Sequence, residues 1–207
     1  MKEIITSGLV GYLLGCFQTS IFIGRIFKRI DIREHGSQNA GASNTTVVLG
    51  LSFGLLTAFL DIIKAVVAVV VVRILFPNNM FLPAVAGILA VLGHIFPIFF
   101  GFRGGKGVAP LIGTVLALDP CIGLLVALTS VGVALVTDYV VAGSTTIYIL
   151  FVFMMIVGVY PKPTVWLSLG LLAVAIYKHK ENYRRILSKE EMKIKSTLRG
   201  EETEHRV

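Results

Sequence analysis

The feature that most restricts this chain is a series of apolar stretches, most of them near the ~20 residues that a helix needs to cross a hydrocarbon core. They fall at about 4–24, 51–75, 81–100, 107–118, 121–137, 139–159 and 163–177, interrupted by charges, proline or glycine. Such a chain reads as an all-α polytopic membrane protein of about seven transmembrane helices. Charged residues make up 15% of it and the mean hydropathy is +0.83. A soluble domain carries roughly 25% charge, so a soluble two-domain enzyme is excluded.

The fourth and fifth stretches could merge into one long helix from Leu111 to Val136, but Asp119-Pro120 sits between them. Proline removes an amide donor and turns the residue before it away from helical geometry, so two shorter helices are expected. The charges support that count. Arg25, Lys28, Arg29 and Arg33 follow the first stretch, Arg103 and Lys106 follow the third, and nine Lys/Arg lie from Lys178 to Arg206, fifteen of the 19 in all. Seven crossings place these groups on one face, the cytoplasmic one by the positive-inside rule, whereas six would not. The expected topology is N-terminus outside and C-terminus cytoplasmic, in the inner membrane of a cell. The net charge of +7 therefore expresses topology and not nucleic-acid binding. Ser20 to Arg25 offers no convincing cleavage site, so the first stretch is an anchor.

Residues 1–180 read as a single membrane-embedded domain, and 181–207 as a juxtamembrane helix with a loose charged tail that touches anionic lipid. Cys16 and Cys121 lie in apolar stretches without metal-ligand or CxxC spacing. Gly11-x-x-x-Gly15 and Gly50-x-x-x-Gly54 have the spacing of close helix contacts. No repeat relates the two halves, which argues against a transporter built from inverted repeats.

Polar groups kept near a membrane are costly unless used, and three clusters stand out on the expected cytoplasmic face. His35 to Asn44, HGSQNAGASN, combines flexible glycines with neutral hydrogen-bonding side chains, and reads equally well as a ligand loop or as a polar loop ending in a helix cap. Gly93 to Gly107 contains His94 and then Gly101-Phe102-Arg103-Gly104-Gly105-Lys106-Gly107. Glycines beside two cations at a helix start suit an anion, and the loop reads as a phosphate cradle although it is not a Walker A sequence. Tyr177 to Arg185 brings His179 and Asn182 onto one helix face, while Lys178, Lys180, Arg184 and Arg185 read mostly as snorkelling cations. Asp61 and Lys64, three residues apart inside the second stretch, are expected to pair, with structural and functional roles equally open.

In that order the segments GSQNAGASN, GHIFPIFFGFRGGKGVAP and KHKEN resemble the three motifs of the bacterial acyl-phosphate-dependent glycerol-3-phosphate acyltransferases, the PlsY family. The resemblance implies a seven-helix enzyme that transfers an acyl group from acyl phosphate to the 1-hydroxyl of glycerol 3-phosphate, yielding lysophosphatidic acid and phosphate. Carried over by position, the functional residues are Ser37, Asn39 and Asn44, then His94, Arg103, Gly104, Gly105 and Lys106, then His179, Glu181 and Asn182. The chain departs from the family pattern at Val47 and Lys178, where the family usually has arginine. Acceptor binding is then expected to be weaker, reorganised around Lys178 or Lys180 without the bidentate fork of an arginine, or altered in specificity.

On this reading Lys106, Arg103 and the Gly104–Gly107 amides hold the acyl-phosphate head, while Ser37, Asn44 and Asn182 orient the acceptor. Either His179 or the substrate's own phosphate takes the proton. Neither metal nor cofactor is expected. A small organic-anion transporter, or a relative that has lost turnover, are the rival readings.

Overall fold

The computed structural model describes residues 1–199, and its regular elements among these are all helical. In chain order they are α1 (Lys2–Gly15), α2 (Thr19–Ile23), α3 (Ala42–Leu49), α4 (Leu51–Leu75), α5 (Phe81–Ile95), α6 (Val108–Leu118), α7 (Pro120–Thr137), α8 (Val140–Val157), α9 (Lys162–Leu187) and α10 (Ile194–Arg199). Short π and 3-10 turns cover Gly24–Lys28, Ile32–Glu34 and Ile98–Phe100. Among the described residues five segments are long and apolar enough to cross a membrane: Lys2–Lys28, Leu51–Leu75, Phe81–Phe100, Pro120–Thr137 and Val140–Val157.

Helix α5 lies at the centre, against α1, α4, α6 and α9, and twelve of its fifteen residues are buried. Val91 and Ile95 of α5 join Leu111 of α6, Ile147 and Phe151 of α8 and Leu171 of α9 in the main apolar core. Helix α7 is peripheral: it buries little besides Gly123, Val126 and Ser130, and exposes Leu124, Leu125, Leu128 and Val131. An outward face of that kind suits lipid and would be a liability in water.

The break expected at Asp119-Pro120 is present. The Asp119 carboxylate accepts the Ile122 amide at 2.9 Å as an N-cap, with Pro120 opening α7. The expected continuous helix over 4–24 is not found, because α1 stops at Gly15 and α2 begins at Thr19. Gln18, fully buried, donates to the Gly15 and His94 carbonyls at 3.5 and 3.2 Å. The freed Phe17 carbonyl accepts from Lys64 Nζ at 2.5 Å. Tertiary partners thus replace the helical hydrogen bonds that a break inside a membrane would forfeit.

The expected loose tail also differs. The expected juxtamembrane helix is the continuation of α9 to Leu187, but the segment after it folds back. The Ile194 and Lys195 amides donate to the carbonyl and carboxylate of Asp138, each at 3.0 Å. Residues 200–207 of the expected tail lie outside the described residues.

Small residues set the helix spacing at Gly11, Gly15 and Gly54, whereas Gly50, expected to make a close helix contact, meets nothing within 4 Å and instead turns the chain at φ +95 between α3 and α4. A side chain at Gly11 or Gly15 would collide with the backbone of Ala86 or Ala90 in α5, and one at Gly54 with Thr46 of α3. The α1–α5 contact therefore depends on glycine. Gly15→Leu is expected to destabilise the protein by about 1–3 kcal/mol, whereas Gly132→Leu, which meets nothing within 4 Å, should be close to neutral. Thermal unfolding of the two variants in one detergent checks this.

Candidate active site

Motif one is a loop folded around an asparagine. Asn44, buried in the first turn of α3, donates through Nδ2 to the Ile32 and His35 carbonyls at 2.9 and 3.0 Å. Its Oδ1 accepts the Ser37 amide at 2.8 Å. Gly36 has φ +58, and a side chain there would strike Asn44 Oδ1, so glycine is required for the loop to close on the amide. Asn44, expected to orient substrate, is instead the staple of the loop that presents Ser37 and Asn39, because both donors and the acceptor of its amide are already engaged.

Ahead of that loop, Arg33 grips Asp31 through Nε and Nη2 at 3.0 and 2.8 Å. The Arg33 guanidinium holds the Asp31 carboxyl well below the usual carboxylate range. Arg33 Nη1 also donates to the Phe100 and Arg103 carbonyls at 2.8 and 3.3 Å, which ties motif one to motif two. The sequence reading gave this residue a topological role only.

In motif two the turn through Gly101 (φ +64) and Phe102 (φ +57) aims the Arg103 carbonyl at Arg33 and leaves the Arg103 side chain exposed, away from the cavity described below. The expectation that Arg103 holds a phosphate is corrected on that ground. Gly105 is corrected too. The Gly105 amide donates to the His94 carbonyl at 3.1 Å, so it is not bare. A side chain at Gly104 would meet that carbonyl, and one at Gly105 the His94 ring, so both glycines serve close approach. His94 itself is buried, with Nδ1 2.9 Å from Lys64 Nζ, which assigns Nδ1 as the acceptor and leaves the ring proton on Nε2. Asp61 pairs with Lys64 at 2.8 Å, as the sequence indicated, and accepts from Thr19 Oγ1 at 2.9 Å.

Lys106 follows, and its backbone carbonyl accepts from Tyr148 Oη at 2.8 Å. Its Nζ donates to Oδ1 of Asn182 in α9. Burial lowers the Lys106 ammonium to about 8, with Glu191 opposing that shift and Arg185 and Lys178 adding to it. Gly107, at φ +80, turns the chain into α6.

In motif three, His179 is buried and its Nδ1 lies 2.8 Å from the Ala175 carbonyl, so Nδ1 carries the proton and Nε2 keeps its lone pair. Lys178 and Glu181, expected at the site, point elsewhere. Lys178 Nζ lies 5.4 Å from the centre of the Phe96 ring, and Glu181 pairs at 3.0 Å with exposed Arg184. Lys178 is one turn before Asn182 on the same side of α9 but does not line the cavity described below, and Glu181 is exposed on a face turned away from His179.

What gathers these parts is one cavity of about 390 Å³. Of the expected residues it takes Ser37, Asn39, Asn44, His94, Lys106, Gly107, His179 and Asn182, and Val47 lies in the same wall. The starts of α3 (Ala42, Ser43) and α6 (Val108, Ala109) also line it, so two helix N-termini with unpaired first-turn amides face the same space. Ala58, Ile62, Ile112, Val140 and Val141 give it an apolar side. The sequence reading missed Arg185 and Glu191, which complete the chain Lys106–Asn182–Glu191–Arg185. The three-residue step from Asn182 to Arg185 was a signal for Arg185, whereas Glu191 had none. Among the described residues no group of three or more His, Cys, Asp and Glu could hold a metal ion.

The arrangement can bind an anion beside an apolar chain and offers one imidazole lone pair. Comparison with known proteins agrees. Residues 5–189 match the family described as glycerol-3-phosphate acyltransferase. The glycerol-3-phosphate acyltransferase of Halalkalibacterium halodurans is 40% identical over 192 residues, covering 88% of this chain and 91% of that one. Glycerol-3-phosphate acyltransferase 1 of Oceanobacillus iheyensis is 37% identical over 202 residues, covering 93% and 95%. Among solved structures, PlsY, described as an integral membrane glycerol 3-phosphate acyltransferase, is 34% identical in both its glycerol 3-phosphate and lysophosphatidic acid forms. The first superposes with a TM-score of 0.84 over 93% of this chain and 96% of that one, and the second with 0.80 over 92% and 94%. With the motifs, the helical order and the cavity in agreement, the chain belongs to the glycerol-3-phosphate acyltransferase family.

Proposed function

We propose that this chain transfers an acyl group from an acyl phosphate to the 1-hydroxyl of glycerol 3-phosphate, forming lysophosphatidic acid and phosphate. The reaction takes place at the cytoplasmic face of the inner membrane, with seven helices crossing and the N-terminus outside. The observation that carries the reading is the contact of Lys106 with Asn182, which joins motif two to motif three in a cavity shared with Ser37, Asn39 and His179. The relatives' names and the two forms of PlsY support the acceptor and the product. The fifteen cations grouped by parity support the orientation.

An acyl phosphate is already activated, so the protein has to position two anions and stabilise developing charge, without metal or cofactor. Lys106 and the α6 N-terminus hold the donor phosphate, and the apolar side of the cavity receives the acyl chain. Ser37 and Asn182 orient the acceptor. Its hydroxyl oxygen attacks the acyl carbon, the bond from that carbon to the phosphate oxygen breaks, and the hydroxyl proton passes to Nε2 of His179. Ser37 positions substrate and carries no acyl group.

Three measurements test this. Membranes containing the full chain should form lysophosphatidic acid from palmitoyl phosphate but not from palmitoyl-CoA or palmitoyl-carrier protein, and Lys106→Ala should abolish the product. His179→Gln should lower kcat roughly 100-fold or more at little change in KM, and retention of most turnover would return the proton to the substrate phosphate. Lys106 is cationic below about 8, so kcat/KM for the acyl phosphate should fall as pH rises through that value. In Lys106→Arg, whose charge persists, any remaining activity should lose that decline.

A further inference from the structure

The motifs do not account for the carboxylate of Glu191. It belongs to the segment that follows α9, its side chain is 11% exposed, and it sits among the groups that make the cavity an anion site. Asn182 Nδ2 donates to Glu191 Oε1 at 2.5 Å, and Arg185 Nε donates to Oε2 at 2.7 Å. Asn182 in turn accepts from Lys106. An amide N–H and a guanidinium N–H converging on two oxygens of one anion, beside an ammonium, form a donor set that a phosphate satisfies equally well. A fixed negative charge there repels an incoming dianion, so phosphate and Glu191 compete for one place.

The segment folds back over the end of α9. It turns back from α9 through Lys189 at φ +62, with the Glu190 and Glu191 amides donating to the Arg185 carbonyl at 2.7 and 3.1 Å. Further along, the Ile194 and Lys195 amides tie its backbone to Asp138 by hydrogen bonds. The Glu191 contacts are thus the part of the attachment that a substrate can replace.

We propose that Asn182 and Arg185 form a phosphate subsite beside Lys106, that the Glu191 carboxylate occupies this subsite, and that substrate phosphate displaces it together with the strap of residues 188–196. The proposal rests on the acyltransferase reading of the cavity. Arg185 becomes a phosphate ligand, supplying a cation to a cavity whose wall carries Val47. Glycerol 3-phosphate and acyl phosphate both present the required dianion.

The test uses the detergent-solubilised full chain and its Glu191→Gln, Arg185→Gln and doubly substituted forms. Glycerol 3-phosphate binding is measured by calorimetry, and KM and kcat are measured with each substrate varied in turn. Glu191→Gln should tighten binding or lower KM several-fold for one of the two phosphates, with kcat changed less. Arg185→Gln should weaken the same phosphate roughly tenfold or more, and the gain from Glu191→Gln should vanish in the double variant. Should Arg185→Gln fail to fold, Arg185→Lys should give a smaller loss of the same kind. The substrate affected identifies whose phosphate is held. Weaker binding in Glu191→Gln, no change in either variant, or effects of the two on different substrates would overturn the proposal. If no donor yields product while glycerol 3-phosphate binding still responds as stated, the subsite stands and the reaction assigned to the cavity fails.

Discussion

The ammonium of Lys64 is the group on which the rest of the structure depends. Inside α4 it contacts Asp61 at 2.8 Å, the Phe17 carbonyl at 2.5 Å and His94 Nδ1 at 2.9 Å. Removing an ion from water costs several kcal/mol even after relaxation, so each partner is needed, and they come from three different segments. The Phe17 carbonyl can serve only because the chain is not helical there. The break in the first stretch and the buried lysine therefore explain one another. His94 passes the constraint on to the site, since its carbonyl accepts from Gln18 Nε2 at 3.2 Å and from the Gly105 amide at 3.1 Å.

In the glycine-rich loop the Gly105 amide is consequently turned to the His94 carbonyl. Side chains at Gly104, Gly105 and Gly107 would collide with the His94 carbonyl, the His94 ring and the Tyr148 hydroxyl, respectively. These residues let the loop lie flat against α5 and α8. Gly105 and Lys106 are then held by backbone hydrogen bonds to His94 and Tyr148, so the freedom that remains belongs to the Lys106 side chain. A cation placed in this way is organised before substrate arrives, which is what stabilising a developing charge requires.

Much of the fold was legible because the interruptions of the apolar pattern are local. Asp119 and Pro120 end one helix and cap the next by rules that involve only their neighbours. Gly11, Gly15 and Gly54 likewise announced close contacts, and eight of the site residues expected from the motifs line the cavity. What escaped depends on partners distant in the chain. Gln18 carries no signal of a broken helix until the His94 carbonyl is placed beside it. Arg33 looks like a topological charge until the carbonyls of Phe100 and Arg103 face it. Asn44 has the composition of a ligand residue, and only the folded loop reveals that its amide is fully engaged. Glu191 lies in a segment whose composition suggests a solvated tail, because nothing local indicates that it turns back on α9.

The site also reflects a limit on charge within a membrane. A dianionic acceptor such as glycerol 3-phosphate calls for positive potential, yet each buried cation carries a desolvation cost that must be offset by partners, as Lys64 illustrates. The fold meets much of the need with neutral groups: the N-termini of α3 and α6 direct their partial positive charge and first-turn amides into the cavity. Helix ends are tolerated at membrane depth only where they line a cavity or are buried in protein. The shortness of α6, eleven residues from Val108 to Leu118, thus has a chemical reason. A helix that began a turn earlier would take the Val108 and Ala109 amides that line the cavity into its own hydrogen bonds and carry Lys106 away from Asn182.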